Sequence, residues 1–443
     1  MDKEYFPTIS KIKYSPDSPK TNLLVYRHYN EEEVLFGKKM SDWLRFAVCY
    51  WHTFVWQGND IFGGPTFTRT WCSNDQSPLD HAKAKIHAAF EFFAKLGVKY
   101  YCFHDRDMAP EGETLEETNK NLDVIVDIAE SLQNKTGVKL LWGTSNLFSH
   151  KRYMNGASSN PNVNTFLYAG AQVKKMLEVT HRLKGENFVF WNGRDGYQSL
   201  MNTNLKLELD HMAEFLKMCL KYKKKIGFEG QFLIEPKAKE PMKHQYDFDA
   251  QTVMGFLKTY GLDKDIKLNI EPNHSMLSGH PYEHDIAFAS AYGMLGSIDF
   301  NTGEASLGWD TDNFLYDVRT AATVMKIVIE QGGLGSGGLN FDCKVRREST
   351  DLEDLFIAHI ASIDCIALGL RKAVKMVEDG YLSKMKSDRY LTFETEELGK
   401  KLSKGECELE DCENFWKNNK VSDVETISAK QEKYELIFNS YFS

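Results

Sequence analysis

Nowhere in its 443 residues does the chain carry a run approaching the roughly 20 apolar residues that a membrane-crossing helix needs. Its N-terminal stretch, MDKEYFPTISKIKY, has no apolar core of the kind a secretory signal requires. Together these two absences lead us to expect a soluble, cytoplasmic protein. Disulfide spacing is missing as well. The eight cysteines are scattered through runs such as VKYYCF and KMCLKY, with Cys407 and Cys412 the single close pair. That spacing suits neither a disulfide framework nor a CxxC zinc site and fits reduced, buried thiols. There is no basic excess either, since 54 Lys and Arg stand against 63 Asp and Glu, a net charge of -9. Nucleic acid is therefore not expected as the main partner, and small neutral molecules and cations are. A phosphate loop is also lacking: the glycine-rich GSGG at 335–338 does not have GxGxxG spacing and precedes a strand candidate instead of following one. With 42% hydrophobic and 13% aromatic residues, material for a large core is ample.

What the sequence does have is a recurring unit, an amphipathic helix that ends at glycine and leads into a short β-rich run stopping on polar residues. It is plain in HAKAKIHAAFEFFAKLGVKYYCFHDRD, and it returns in LDHMAEFLKMCLKYKKKIGFEGQFLIEP and AQTVMGFLKTYGLDKDIKLNIEPNH. Strand candidates fall near Arg45–Tyr50, Lys99–Phe103, Lys139–Trp142, Asn187–Trp191, Gln231–Ile234, Lys267–Ile270, Ser297–Ile298 and Gly338–Phe341. Strands alternating with helices imply parallel βαβ units. Their number and uniform pattern favour an α/β (β/α)8 TIM barrel over an open doubly wound sheet. Past Gly380 the pattern gives way to charged helical segments with aromatic anchors. Residues 1–380 are thus expected to form the barrel with an N-terminal extension, and 381–443 a C-terminal helical arm for subunit contacts.

Chemistry in such a barrel lies where strands finish. The second strand ends on His104, Asp105, Arg106 and Asp107; the fifth on Glu235, Pro236 and Lys237; the sixth on Glu271, Pro272, Asn273 and His274. The seventh and eighth end on Asp299 and Asp342, and GWDTD adds Asp310 and Asp312. Strands three and four contribute Trp142, Thr144 and Trp191. One acid at a strand end is more often a helix cap than a ligand. Five strands ending on ionisable groups are harder to assign to capping, above all where Glu235 and Glu271 precede proline, which disfavours helical geometry at the acid itself. So many converging carboxylates would repel one another unless cations offset them. An oxygen-rich set with an imidazole suits magnesium, manganese or cobalt better than zinc, and its size suits two ions bridged by a carboxylate. The histidines of HPYEHD, His280 and His284, are read as structural, and the acidic ECELEDCE as a solvated face.

These residues sit in FHDRD, WGTSNLF, FWNGRDGY, LIEPK, NIEPNH, GSIDF, GWDTD and LNFDCKVRR. In this order and spacing, from about Asp42 to beyond Arg389, they resemble the xylose isomerases, specifically the longer class with an N-terminal extension. The resemblance implies a metal-dependent aldose–ketose isomerase that turns D-xylose into D-xylulose and D-glucose into D-fructose by a 1,2-hydride shift. It also implies a homotetramer. Carried over residue by residue, Glu235, Glu271, Asp299 and Asp342 would hold one divalent cation; Glu271, His274, Asp310 and Asp312 would hold the second. His104 with Asp107 would serve ring opening, Lys237 would contact a sugar oxygen, and Trp191 and Thr144 would line the pocket. Phe62, in DIFGGPT, would come from an adjoining subunit. The chain departs from the commoner family wording at Asn192, Phe300 and Thr302, beside Trp191 and Asp299, which bears on the pocket wall and on metal preference. Two other readings use the same residues: a metal-dependent phosphoesterase or abasic-site nuclease, which needs a basic track, and a catalytically silent sugar- or cation-binding module.

Overall fold

The computed structural model describes residues 3–73, 75–419, 424 and 426–443. They divide into two compact units, Met1–Gly369 and Leu370–Ser443. In the first, eight parallel strands close into a barrel. They are β1 (Phe46–Cys49), β2 (Tyr100–His104), β3 (Lys139–Thr144), β4 (Asn187–Phe190), β5 (Gln231–Ile234), β6 (Ile266–Ile270), β7 (Leu295–Asp299) and β8 (Leu339–Phe341). Neighbours in the ring are neighbours in sequence, and β8 returns to β1 with Leu339 opposite Phe46 and Phe341 opposite Val48. The barrel expected from the helix–glycine–strand grammar is therefore the one observed. β7 is longer than the expected Ser297–Ile298, because Gly296 depresses strand propensity locally while pairing on both sides supplies the ladder.

Helices follow the strands as α1 (Pro78–Leu96), α2 (Leu115–Thr136), α3 (Val163–Arg182), α4 (Leu205–Ile226), α5 (Ala250–Tyr260), α6 (His284–Ala291), α7 (Val318–Gln331) and α8 (Leu352–Asp379). The first shows the logic. Ser77 accepts a hydrogen bond from the Asp80 N–H, Pro78 occupies the opening turn, and Gly97 closes the helix at φ 83°. Its inner stripe, including Ile86, Phe90 and Phe93, is buried. Three residues after that glycine β2 begins, so one short segment ends a helix and aims a strand.

Alternation along the strands decides what faces the lumen. Ala47, Tyr100, Cys102, Leu141, Trp142, Val189 and Leu233 form a contiguous buried cluster inside the ring. Leu233 precedes Glu235 by two residues, and Cys102 precedes His104 by two, so the polar strand ends rise directly above an apolar plug. Water is thereby kept to one mouth. The N-terminal extension packs Phe6 against Trp71, Phe92 and Phe356, and Asp364 accepts the N–H groups of Arg27, His28 and Tyr29.

GSGG is the turn into β8. A side chain at Gly337 would overlap the Gly296 carbonyl oxygen, and one at Gly338 the Arg45 carbonyl oxygen. Backbone from three strands meets here too closely for any Cβ. The second unit, Leu370–Ser443, holds helices Tyr381–Arg389, Leu391–Thr395, Glu397–Ser403, Leu409–Asn419 and Gln431–Ser440. Phe393, Leu402, Phe415 and Trp416 are exposed there.

Two glycines separate close approach from mere helix entropy. Gly337→Ala is expected to lower stability by more than about 2 kcal/mol through forced backbone displacement. Gly255→Ala, on an exposed turn of α5 with nothing within 4 Å of the added carbon, should raise it by about 0.5–1 kcal/mol. Thermal midpoints of both variants check the pair, and equal shifts would refute this account.

Candidate metal centre

Glu235, Glu271, Asp299 and Asp342 each stand immediately beyond or at the last residue of β5, β6, β7 and β8. All four are buried. One ligand atom from each lies within 4.8 Å of the others. Beneath them, two residues back on the same strand faces, are Asn269 and Asn340. Asn269 Nδ2 donates to Glu235 Oε2 at 3.0 Å and to Asp299 Oδ2 at 2.9 Å, and Asn340 Nδ2 donates to Asp299 Oδ1 at 2.9 Å. The amides fix the acids' orientation without neutralising them. Asn301 Nδ2 adds a bond to Glu271 Oε1 at 2.7 Å.

A second group shares Glu271. Its ligand atoms and those of Asp310 and Asp312 again fall within 4.8 Å, as do those of Glu235, Glu271 and His274. His274 Nδ1 lies 3.1 Å from the Pro236 carbonyl oxygen, a contact in which only an N–H can serve. That leaves Nε2, which is 3.1 Å from both Glu271 Oε2 and Asp310 Oδ2, as the nitrogen able to bind an ion. Asp312 has φ 46°, a left-handed backbone that costs a residue with a side chain and recurs at functional sites. Its carbonyl accepts from the Lys344 N–H at 2.9 Å and Arg346 Nη2 at 3.0 Å, which holds the loop in that shape.

Charge is out of balance here. Burial, then repulsion from Asp299 and Asp342, pushes the Glu235 carboxyl well above the usual range. Burial, then Asp310 and Asp342, does the same to Glu271. Burial and Asp342 raise Asp299 to about 8. Asp312 goes the other way: burial would raise it, but Lys344 and His52 outweigh that and hold it well below its ordinary value. The Lys237 ammonium, which burial would lower, is raised instead by Asp310, Glu240 and Glu271. A buried set of carboxylate oxygens with the imidazole nitrogens of His274 and His52 beside it, carrying more negative charge than its cations answer, has the donor chemistry of a site for hard divalent ions.

Beside the acids lies a cavity of about 220 Å³. Trp51, Trp142, Phe148 and Trp191 form apolar walls, and Thr144, His104 and Lys237 open onto it. His104 Nδ1 lies 2.8 Å from Asp107 Oδ2, and the same Asp oxygen accepts the His104 backbone N–H at 3.2 Å. Thr144 Oγ1 donates to the Val189 carbonyl at 2.6 Å. Lys237 Nζ is 2.7 Å from Asp310 Oδ2 and 5.3 Å from the Trp191 ring centre. Phe62 is 78% exposed and lines a neighbouring surface hollow with Trp309, outside this cavity. Asn192, Phe300 and Thr302 are not among the residues lining it; Phe300 is fully buried behind Asp299. His280 stacks on His284 at 4.1 Å and bonds to Asp249 at 3.0 Å, away from the mouth cluster.

Reading strand ends alone misses Trp51 and His52. They follow β1 in YWHTF, where the same rule applied to the first strand would have found them. Asn269 and Asn340 are missed because an amide inside an apolar run looks like an imperfection until the register places it under a carboxylate.

The XylA2 C-terminal domain family matches residues 386–442. A xylose isomerase of Arabidopsis thaliana is 53% identical over 437 residues, covering 99% of this chain and 91% of that protein. One of Caldicellulosiruptor bescii is 51% identical over 439 residues, 99% of each. Among solved structures, a D-psicose 3-epimerase from Clostridium cellulolyticum H10 superposes with TM-score 0.51 at 14% identity, over 73% of this chain and 99% of that one; the likeness is one of fold.

The raised acids give a pH prediction. With folded pKa values above the ordinary carboxylate range of about 4, the metal-free native state binds more protons than the unfolded chain between pH 4 and about 8, the value for Asp299. Stability of the metal-free protein must then fall as pH rises through that window. Divalent cations should release protons on binding at pH 6–7 and remove the slope. Titration calorimetry in buffers of different ionisation enthalpy measures the release; no proton exchange at pH 6.5 would contradict these shifts.

Proposed function

The chain belongs to the xylose isomerase family, and we propose that it interconverts D-xylose and D-xylulose, with D-glucose and D-fructose as further substrates, in the cavity beside the carboxylate cluster. Its enzyme class is aldose–ketose isomerase. The observation that carries the assignment of the site is the pair of ligand groups sharing Glu271. Glu235, Glu271, Asp299 and Asp342 would hold one divalent cation, and Glu271, His274, Asp310 and Asp312 the other, with magnesium, manganese or cobalt suiting the oxygen-rich donors. When bound, such ions supply electrostatic stabilisation to two oxygens of the open-chain sugar.

The chain's own groups do the rest. Asp107 fixes the His104 imidazole through Nδ1, so its other nitrogen can take the anomeric hydroxyl proton and let the ring open. Lys237, kept charged, stabilises oxygen at the reacting carbonyl. Hydrogen then moves from C2 to C1 with its electron pair while a proton passes between the two oxygens, leaving the ketose with no net loss or gain. Trp51, Trp142 and Trp191 keep water from the transferring hydrogen, and Thr144 completes the wall.

Exposed Phe62 is assigned to the cavity of a neighbouring subunit. The arm, 381–443, is assigned to subunit contacts in a homotetramer, supported by its exposed aromatics. No helix among the described residues is long and apolar enough to cross a membrane, and the cytoplasm is the proposed location. The lysines nearest the acids, Lys237 and Lys344, are paired with Asp310 and Asp312, which favours the isomerase reading over a nuclease that would need them for phosphates.

Metal-stripped protein should yield D-xylulose from D-xylose only after Mg2+, Mn2+ or Co2+ is restored. No product with any ion refutes the assignment. In D2O the C1 position of the product should gain little deuterium, and full washout would exclude direct transfer. Asp107→Asn should reduce kcat/KM by about 10²-fold, and Glu271→Gln should abolish turnover while lowering the number of bound cations.

A further inference from the structure

After β1 the chain passes through Trp51–Val55 as a π-helical turn, a rare wide helix that often marks functional sites. It carries His52, to which the roles above give no task. His52 Nε2 lies 3.2 Å from Asp312 Oδ2 and 3.0 Å from Asp342 Oδ1. Asp342 gathers with Glu235, Glu271 and Asp299, and Asp312 with Glu271 and Asp310, while His52 draws Asp312 and Asp342 into a third group of its own, with one ligand atom of each within 4.8 Å of the others. Each oxygen His52 approaches has a second donor. Trp51 Nε1 reaches Asp342 Oδ1 at 2.7 Å, and Lys344 Nζ reaches Asp312 Oδ2 at 2.8 Å. These donors gather on one oxygen of each acid and leave the other oxygen to an ion, the pattern that orients a carboxylate ligand from behind.

We propose that His52 is a positioning residue that couples the two cation sites, holding Asp312 and Asp342 against one edge of its imidazole so that each site's affinity depends on it. Glu271 joins the groups as a shared ligand on one side; His52 joins them on the other without being a ligand. This rests on the two-cation reading above. A histidine that merely packs would affect folding and leave cation affinity alone, whereas a frame that spans both acids must affect both sites together. Filling one site fixes His52 against its acid and so preorganises the other.

The test is Mn2+ titration of metal-stripped wild type and His52→Leu by calorimetry, with bound Mn2+ counted by electron paramagnetic resonance. Thermal midpoints of the metal-free proteins report folding separately. Wild type should bind two Mn2+, and His52→Leu should weaken both sites by about 10-fold or more, with the Mn2+ activation constant rising in step. His52→Asn, too short to span both acids, carries the same comparison if the leucine variant does not fold. Two dissociation constants within twofold of wild type, or a loss at only one site, would overturn the coupling role alone. A wild-type chain binding fewer than two Mn2+ would overturn the two-cation reading and this inference with it.

Discussion

Like charge confined in a small dry space is the constraint on which the rest of this structure turns. Four carboxylates meet at the ends of four consecutive strands, and what lies beneath them is a layer of amides, Asn269 and Asn340, not a layer of cations. Amide N–H groups can orient an acid, but they cannot cancel it. Their strand register permits nothing else, since residues two apart share a face and the floor must hold side chains short enough to fit above Leu233 and its neighbours. The barrel therefore gathers more acids than Lys237 and Lys344 can answer, and the remainder calls for positive charge from outside the chain.

The second group shows how that socket is extended beyond the strands. Asp310 and Asp312 lie more than ten residues after Asp299, on a loop with no barrel strand of its own. The loop is pinned by a bridge between Thr302 and Asn313 and by the bonds that Lys344 and Arg346 make to the Asp312 carbonyl. A left-handed residue survives there because those contacts over-determine it. Precision at a loop position is thus borrowed from β8, through the residues that directly follow Asp342.

Much of this is legible in the sequence. Helices closing on glycine and leading into short apolar runs give the barrel, since that grammar has few other solutions, and the residue after each run gives most of the acids. Other parts depended on geometry that sequence does not encode linearly. The β1 end gives no such signal, because Trp51 and His52 carry no carboxylate. Lys237 opens onto the cavity, and its pairing with Asp310, a contact across 73 positions of chain, is invisible in the sequence. Phe62, expected from an adjoining subunit, is exposed on its own chain. Asn192, Phe300 and Thr302, read as bearing on the pocket wall or on metal preference, do not line the cavity.

Closure of the ring has one more effect. An open sheet ends in strands whose peptide groups lack partners, and such margins invite further strands from other molecules. Here β8 hands its last hydrogen bonds to β1, so the barrel offers no margin at all. Copies of this chain that meet through it must recognise one another by side chains on helices and loops, and the backbone of the central sheet takes no part in the encounter.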